Sequence, residues 1–526
     1  MVIPTRPALK MTSLQPLIAI CGTTGVGKSK LGIELALSLK HEIHKSEEAQ
    51  HGQLKWRGAR IINADSMQVY AGMDVITNKV PHAERMDVEH LLMDFKQPGE
   101  QYVVGQWVQD AIQAIEDTHN RNEIPIVVGG TLYWIQHLVF PNRLSTEDSI
   151  PSSQRARTTK DPMSPSLDQS ISRLPSNLLD LLNALPEHPP NAATHPDDAL
   201  SLYNLLRALD EPVASRWHWR DTRKVLRSLH IMKETGRTPS DIINEQSKSV
   251  LIPRYRTLCF WLYAEPSKLN SRLDARVDDM IEQGLLDEIR MLQTIATSQA
   301  TTGTTVTTSI KEDSDGPAID YTLGIYQCIG YKEFRHFLSS PEASQEAFES
   351  AVEDMKLSTR KYAKRQVTWL RNKLLPAVNS VRTECGGRPR TASMYLLDAT
   401  ALGNAWRVNV LEPAQSIMHA FLLNKELPDP SSLSVVAQTI LAHGNNKPVK
   451  YAFFCYSTAS AFELPQPVGG ATSKAQNCVP HLHHKPFSTC YDRGRSGMDC
   501  SSWNSDTQTT CCKGHEDCRG APSKTP

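Results

Sequence analysis

The chain of 526 residues carries no net charge of either sign, because Lys plus Arg and Asp plus Glu each number 57. The overall charge therefore indicates neither a nucleic-acid partner nor an acidic one, and only local charge can do so. No apolar run approaches the roughly 20 residues that a membrane-spanning helix needs. We therefore expect a protein that does not use a membrane.

The N-terminal segment lacks the apolar region of a secretion signal. Residues 1–16 carry Arg6 and Lys10 without an acidic residue, and a second methionine, Met11, follows. A short mitochondrial presequence with an alternative start and an untargeted tail both fit this composition. We expect the protein in the cytoplasm, the mitochondrion or both, with the nucleus as a further compartment.

The 11 cysteines do not form the regular framework of a disulfide-rich protein. A large chain without an export signal is not expected to rely on disulfides, which indicates a reducing compartment. The tail contains His and Cys side chains of the kind that bind metals, but their spacing does not match a zinc finger. A zinc site in the tail therefore stays an open alternative. The tail residues in question are His481, His483, His484, Cys490, Cys500, Cys511, Cys512, His515 and Cys518.

The most informative stretch is Gly22–Ser29, which reads G-x-x-x-x-G-K-S, the phosphate-binding P-loop pattern. An apolar run of strand length precedes it, and leucines at helical spacing follow it. Backbone N–H groups and the positive end of the helix would hold a phosphate, with Lys28 adding a full charge. The hydroxyl of Ser29 suits a Mg²⁺ ion. The pattern predicts binding of phosphate or diphosphate without naming the ligand; the alternative is an incidental glycine turn.

Two further strands end in polar residues. Ala59–Ala64 reads as a strand that leads into Asp65, and Ile124–Val128 reads as a buried strand that leads into Gly129–Thr131. Residues just past the carboxyl ends of parallel strands share one crevice, so Asp65 is placed to face the P-loop. Asp65 could equally cap the N-terminus of a helix.

Alternation of strands and helices predicts an α/β fold, with a P-loop parallel sheet flanked by helices and an added, mainly helical domain. Helices are predicted over 102–119, 198–209, 221–235 (ending at Gly236) and, as one long helix, 266–292. The predicted divisions are a tail that can carry a targeting signal (1–15), the first part of the P-loop core (16–141), a flexible insertion (142–196), the continued core with helical substrate-binding segments (197–295), a low-complexity linker (296–318), a helical RNA-binding and C-terminal core segment (319–425) and a low-order Cys/His-rich tail (426–526).

A helix predicted over 356–375 carries basic residues and no acidic one. Lys356, Arg360 and Lys364 are spaced four apart and share one face, which favours a polyanion such as nucleic acid over a plain basic surface. On an adjacent stripe, Tyr362 and Gln366 are either core residues or stacking contacts, as is Trp369.

Taken together, the motifs resemble the tRNA dimethylallyltransferases, also called tRNA isopentenyltransferases, in their fungal form. The similarity covers roughly residues 15–425 in order, with long insertions. The segments that carry it are Gly22–Ser29, Asp65–Tyr70, Ile124–Thr131, Arg223–Arg227, Arg276–Met280, Ile329–Phe334, Arg360–Gln366 and Tyr395–Thr400.

This resemblance implies transfer of the dimethylallyl group from dimethylallyl diphosphate to N6 of the adenosine 3′-adjacent to the anticodon (position 37) of tRNA, with release of pyrophosphate. It implies Asp65 as the general base, with Thr24 and Arg276 as further catalytic residues. It also implies a monomer that uses Mg²⁺ at Ser29 and binds the anticodon stem-loop. The diphosphate would be bound by Gly22, Thr23, Thr24, Gly25, Val26, Gly27, Lys28, Ser29 and Arg276. The tRNA would be contacted by Asp65, Ser66, Met67, Gln68, Thr131, Arg223, Lys224, Arg227, Gly330, Arg360, Lys364 and Arg365.

The tail departs from the family pattern. Fungal and animal members of this family usually end in a C2H2 zinc finger, and that pattern is absent from the tail of this chain. The alternative enzyme is an adenylate isopentenyltransferase, which uses the same donor on a free nucleotide. An RNA-binding protein without catalysis is the alternative from another class, and the joint presence of Thr24, Lys28, Asp65 and Arg276 argues against it.

Overall fold

The structure is a computed structural model that describes residues 14–47, 56–141, 163–248, 251–301, 324–339, 344–381 and 391–444. All of them belong to one compact unit, residues 1–463. The N-terminal tail to residue 13, the greater part of the predicted linker and the Cys/His-rich tail lie outside the described residues.

A six-stranded sheet forms the centre of this unit, and all its strands run parallel. The strand order is β3-β2-β4-β1-β5-β6, so β1 lies between β4 and β5. From β1 the chain first forms β2, β3 and β4 on one side of β1, and then β5 and β6 on the other side. This reversal creates a crevice at the carboxyl ends of the strands. The strands are β1 (Pro16–Gly22), β2 (Ala59–Asn63), β3 (His90–Leu91), β4 (Ile124–Gly129), β5 (Arg256–Tyr263) and β6 (Ala392–Asp398).

Helices cover both faces of the sheet, which confirms the predicted α/β class. In the first half of the chain they are α1 (Lys28–Glu47), α2 (Val104–Asn120), α3 (Leu132–Val139), α4 (Pro165–Ser172), α5 (Ser176–Asn183), α6 (Pro196–Leu209), α7 (Glu211–Ala214), α8 (Thr222–Thr235) and α9 (Pro239–Lys248). In the second half they are α10 (Pro266–Glu282), α11 (Leu285–Thr301), α12 (Arg335–Ser339), α13 (Gln345–Trp369), α14 (Leu375–Val381), α15 (Asn404–Trp406), α16 (Glu412–Leu422) and α17 (Val435–Gly444).

The strands are apolar throughout because a parallel sheet with helices on both faces buries both sides of every strand. In β1, Leu17 and Ala19 belong to the hydrophobic cluster on one face, whereas Ile18 and Ile20 belong to the cluster on the other. Each of these four residues is fully buried. The P-loop therefore follows a strand that packing holds from both sides.

The insertion between β4 and β5 has a hydrophobic cluster of its own. Its helices α4–α9 contribute Leu205, Val225 and Leu229, all fully buried. The predicted flexible insertion reached residue 196, but its described part contains α4 and α5, whose Leu167 and Leu182 join this cluster. In contrast, residues of α11, α13 and α14 belong to a cluster of the sheet.

Two predicted boundaries are wrong. The single helix expected over 266–292 is two helices, because Gly284 adopts a left-handed conformation (φ +97°) between α10 and α11. Low order was expected from residue 426, but α17 lies within this range and buries Ala437 and Leu441 in the core. The first error overlooks a local helix stop at Gly284, whereas the second depends on tertiary packing that local composition does not record.

Candidate active site at the carboxyl edge of the sheet

Four strands and one distant helix deliver the residues of the site. The P-loop follows β1, Asp65 follows β2, and Gly130 follows β4. Arg276 lies on α10, directly after β5, and Gln366 lies on α13. The predicted convergence of strand ends is therefore present in the structure.

The P-loop wraps around its own lysine. Lys28 Nζ donates a hydrogen bond to the carbonyl oxygen of Thr23 at 2.6 Å. Burial lowers the Lys28 pKa to about 8, and the nearby negative charge of Asp65 acts in the opposite direction. Gly27 has φ +85°, and a Cβ at this position would lie 2.7 Å from the Trp406 ring, so glycine is required there.

A second cation contacts the same loop. Arg276 Nη1 donates to Thr24 Oγ1 at 2.9 Å. Burial lowers the pKa of Arg276 to about 10, again opposed by Asp65. Positive charge from two elements is thus concentrated beside the loop, in surroundings where water screens it poorly.

Asp65 is held by its neighbours in a tight turn. Its backbone N–H donates to Asn63 Oδ1 at 3.0 Å, and its own Oδ1 accepts from the Met67 N–H at 3.0 Å. No helix of the described residues begins here, so the capping alternative is wrong. One oxygen is thereby used for the turn, and Oδ2 accepts no hydrogen bond from the described residues.

Gly130 marks the point around which these groups meet. A Cβ built on it would lie 2.6 Å from Gln366 Nε2, 3.6 Å from Asp65 Oδ2 and 3.7 Å from Lys28 Nζ. A carboxylate, an ammonium and an amide therefore surround one glycine, and a Cβ at this position would displace the amide of Gln366. This grouping can hold a phosphorylated substrate beside a base.

Thr131 fastens the loop after β4 to the loop after β2. Its Oγ1 accepts from the Ser66 N–H at 2.9 Å and donates to Ser66 Oγ at 3.2 Å. Both residues were predicted to contact tRNA, and the structure brings them together next to Asp65.

Sequence reasoning missed the role of Gln366. Its Oε1 accepts from the backbone N–H of Thr24 at 2.9 Å, and its Nε2 donates to the carbonyl oxygen of Gly130 at 3.0 Å. The residue is only 4% exposed. A polar residue on the same stripe as Tyr362 and Trp369 was the available signal, but its partners are 342 and 236 positions away in sequence.

Three other residues predicted to contact tRNA have contacts within the protein. Gln68 Nε2 donates to the carbonyl oxygens of Thr77 and Asn78, both at 3.1 Å. Gly330 is buried, and a Cβ there would meet Met355 at 3.2 Å. Met67 is half-buried and packs against the sheet core.

Three more residues predicted to contact tRNA lie on helix α8. Lys224 pairs with Asp221 and lies 4.9 Å from the centre of the Trp217 ring. Arg227 Nη1 lies 3.6 Å from Glu234 Oε2. Arg223 is half-buried.

The basic stripe of α13 was predicted to favour a polyanion partner, and two of its cations have acidic partners on a neighbouring helix. Lys356 Nζ lies 2.8 Å from Asp278 Oδ1, and Arg360 pairs with Asp274, both acids on α10. The stripe thus also joins two helices, because the acidic partners come from another element. Lys364 is exposed, while Arg365 is half-buried and its pKa is lowered by that burial.

The described residues contain no group of three or more His, Cys, Asp or Glu side chains arranged for a metal ion. Ser29 Oγ makes no hydrogen bond to them, and Thr23 Oγ1 is buried without a partner among them. A hard cation that is held mainly by substrate oxygens and water needs only one such protein ligand, so Ser29 fits Mg²⁺ bound with a diphosphate.

Comparison with known proteins identifies a family and relatives for this chain. Residues 68–373 match the family described as IPP transferase. The tRNA dimethylallyltransferase of Schizosaccharomyces pombe is 35% identical over 425 residues, which cover 80% of this chain and 81% of that protein. The tRNA dimethylallyltransferase of Saccharomyces cerevisiae is 34% identical, with coverage of 81% and 79%.

A solved structure of a eukaryotic dimethylallyltransferase acting on tRNA superposes with a TM-score of 0.59. It is 32% identical and covers 82% of this chain and 85% of the solved chain. On the strength of the family match and of these relatives, the chain belongs to the IPP transferase family.

Proposed function

We propose that this protein is a tRNA dimethylallyltransferase that moves the five-carbon group of dimethylallyl diphosphate onto N6 of adenosine 37. The observation that carries the proposal is the meeting of Asp65 Oδ2 and Lys28 Nζ beside Gly130, with Arg276 hydrogen-bonded to Thr24. A base and a diphosphate-binding loop are the two parts that such a transfer requires. The names of the relatives supply the acceptor.

The base acts on the attacking nitrogen. The N6 lone pair forms a bond to C1 of the dimethylallyl group as the bond from C1 to the diphosphate oxygen breaks. Asp65 Oδ2 takes one N6 proton, because the other oxygen already accepts from Met67. The products are N6-dimethylallyladenosine in tRNA, pyrophosphate and the proton held by Asp65.

The cations act on the leaving group. Negative charge grows on the diphosphate as the C1–O bond breaks, and Lys28 and Arg276 lie where they can neutralise it. Their burial strengthens this interaction relative to water. Thr24, whose hydroxyl accepts from Arg276, would contact the bridging part of the diphosphate.

We include Mg²⁺ in this proposal, with Ser29 as its protein ligand. When bound, the ion would neutralise further charge on the diphosphate oxygens. The hydroxyl of Ser29 and the backbone N–H groups of the P-loop would orient those oxygens from the protein side.

The acceptor adenine must leave the anticodon stack to reach a site at the sheet edge, because its N6 is not accessible within the stack. We propose that the residues of the loops after β2 and β4 receive the base, and that α8 and the exposed basic residues of α13 contact RNA phosphates. Lys364 is exposed and suits this role.

We propose that the protein acts as a monomer, with the residues named here on a single chain. For the compartment, the basic segment with Arg6 and Lys10 ahead of Met11 supports a division between mitochondrion and cytoplasm. Light scattering of the purified protein tests the first proposal. Localisation of proteins that start at Met1 or at Met11 tests the second.

The experiment is transfer of label from dimethylallyl diphosphate to two transcripts that differ only in adenosine or guanosine at position 37. We expect one equivalent of label and one of pyrophosphate for the adenosine transcript and background for the other. Equal labelling of both transcripts, or none of either, would contradict the proposal.

A further inference from the structure

We propose that Gln366 is a positioning residue that holds the diphosphate-binding loop and the loop after β4 at the separation that transfer requires. The inference rests on the proposed function and assigns it a residue that touches neither the donor nor the reacting nitrogen.

All polar atoms of the Gln366 side chain are used in this bridge. Oε1 accepts from Thr24, and Nε2 donates to Gly130. An amide offers one acceptor atom and two N–H donors, so this residue type suits an N–H group on one loop and a carbonyl oxygen on the other.

Burial makes the bridge specific. With 4% exposure, water cannot replace a lost partner, and an unsatisfied donor or acceptor here costs roughly 1–3 kcal/mol. The fit is also close, because any Cβ at Gly130 would lie 2.6 Å from Gln366 Nε2. Residue 130 can therefore come this close to the Gln366 amide only if it is glycine.

The two loops that Gln366 joins serve opposite sides of the reaction. On the donor side, Thr24 is held twice, by Gln366 at its backbone N–H and by Arg276 at its hydroxyl. On the acceptor side, Gly130 precedes Thr131, which accepts from the N–H of Ser66 next to Asp65. A single side chain thus sets the distance between leaving group and base.

The rate of a displacement reaction depends strongly on the distance between the reacting atoms. The reacting atoms must approach to about 3–3.5 Å, and a misplacement of about 1 Å can cost on the order of 100-fold in rate. Loss of the bridge should therefore lower kcat more than it raises either KM.

The test compares Gln366→Met with Gln136→Met. Gln136 is also a buried glutamine that ties α13 to its neighbour, since its Oε1 accepts from Trp369 Nε1 at 3.2 Å, but it does not contact the P-loop. For Gln366→Met we expect kcat to fall about 10- to 100-fold, with both KM values within about three-fold. For Gln136→Met we expect kcat within about three-fold at a similar loss of Tm.

A second variant separates positioning from folding. In Gln366→Glu the protonated carboxyl can accept from Thr24 and donate to Gly130, whereas the carboxylate cannot donate. Relative to wild type, its kcat should rise as the pH is lowered. A wild-type pH profile for this variant, a kcat for Gln366→Met within three-fold of wild type, or an effect confined to donor KM would overturn the proposal.

Hydrogen exchange tests the bridge without turnover. Amides of the segment Gly22–Ser29 should exchange faster in Gln366→Met than in wild type or Gln136→Met. If the wild-type protein transfers nothing, the proposed function fails, and unchanged exchange of this segment would still contradict the bridge on its own.

Discussion

At the scale of single residues, the account depends first on Asp65. Substitution by Asn keeps the turn, because an amide oxygen can still accept from the Met67 N–H, but it removes the base. We expect kcat to fall by about 100- to 10,000-fold with tRNA KM little changed. Steady-state kinetics measures this, and Asp287→Asn, an exposed residue paired only with exposed Arg290, is the control. A kcat for Asp65→Asn within a few-fold of wild type would reject the assignment.

Lys28 makes a prediction about pH. Its pKa is lowered from 10.5 to about 8 by burial, and the protonated form is the one that attracts a diphosphate. Donor affinity should therefore be full below about pH 7 and should weaken as the pH rises through 8. Calorimetric titration with dimethylallyl diphosphate in the absence of tRNA measures the trend. In Lys28→Arg the charge persists and the weakening should vanish; an equal slope in both proteins would refute the pKa argument.

The sequence predicted those residues whose role depends on their place at a strand end. The P-loop and Asp65 follow strands that apolar runs make recognisable, so their convergence follows from parallel topology. Gln366 could not be assigned in this way, because its partners are brought close only when α13 packs onto the sheet edge. The same holds for Trp406, which covers Gly27 from the C-terminal part of the chain.

At the scale of elements, one carboxylate holds the segment that follows Asp65. Glu288 on α11 accepts from the backbone N–H groups of Asp74, Val75 and Ile76 at 2.7–3.0 Å. Lys79, only 7% exposed, pairs with Asp74 and Asp94 in the same segment. These contacts fix a long connection between β2 and α2 that has little regular structure.

The role of Glu288 can be measured by its removal. Glu288→Ala leaves three N–H groups without their acceptor, so we expect the free energy of unfolding to fall by about 1–3 kcal/mol. Urea denaturation measures it, with exposed Glu282→Ala on the preceding helix as the matched control. Equal stability of the two variants would show that the segment does not depend on this carboxylate.

The contact between α10 and α13 explains why the basic stripe could not be interpreted from sequence alone. Charges of one sign on a helix indicate a polyanion only when no acidic residue faces them, and Asp274 and Asp278 do so here. Both pairs are partly exposed, so each should contribute only about 0.2–1 kcal/mol. Their effect is mainly to set how α13 presents Lys364 and Gln366.

At the scale of the whole molecule, the sheet with the proposed donor site and the helical insertion have separate hydrophobic clusters. Leu205→Ala in that insertion should lower stability by about 2–5 kcal/mol, because the residue is fully buried. Donor affinity should stay unchanged at temperatures where the variant is folded, while tRNA KM should rise if α8 contacts RNA. Calorimetry and kinetics together measure this, and weakened donor binding with normal tRNA KM would contradict the division of roles.

The described helices give no indication of a membrane protein, since none combines the length and apolar character needed to cross a bilayer. The cysteines of the described residues, Cys21, Cys259 and Cys328, are buried thiols. The order of the elements could be predicted because strands and helices alternate clearly. The core of the insertion and the place of α17 could not, since both depend on packing between distant segments.

The central claim is that a diphosphate-binding loop here serves a prenyl donor, while the adenine arrives as part of tRNA. The most direct measurement is a competition in which an anticodon stem-loop with adenosine 37 and free AMP are offered together with labelled dimethylallyl diphosphate. We expect label in the stem-loop, a kcat/KM for it far above that for AMP, and loss of labelling in Asp65→Asn. Faster prenylation of AMP, or labelling of neither, would contradict it.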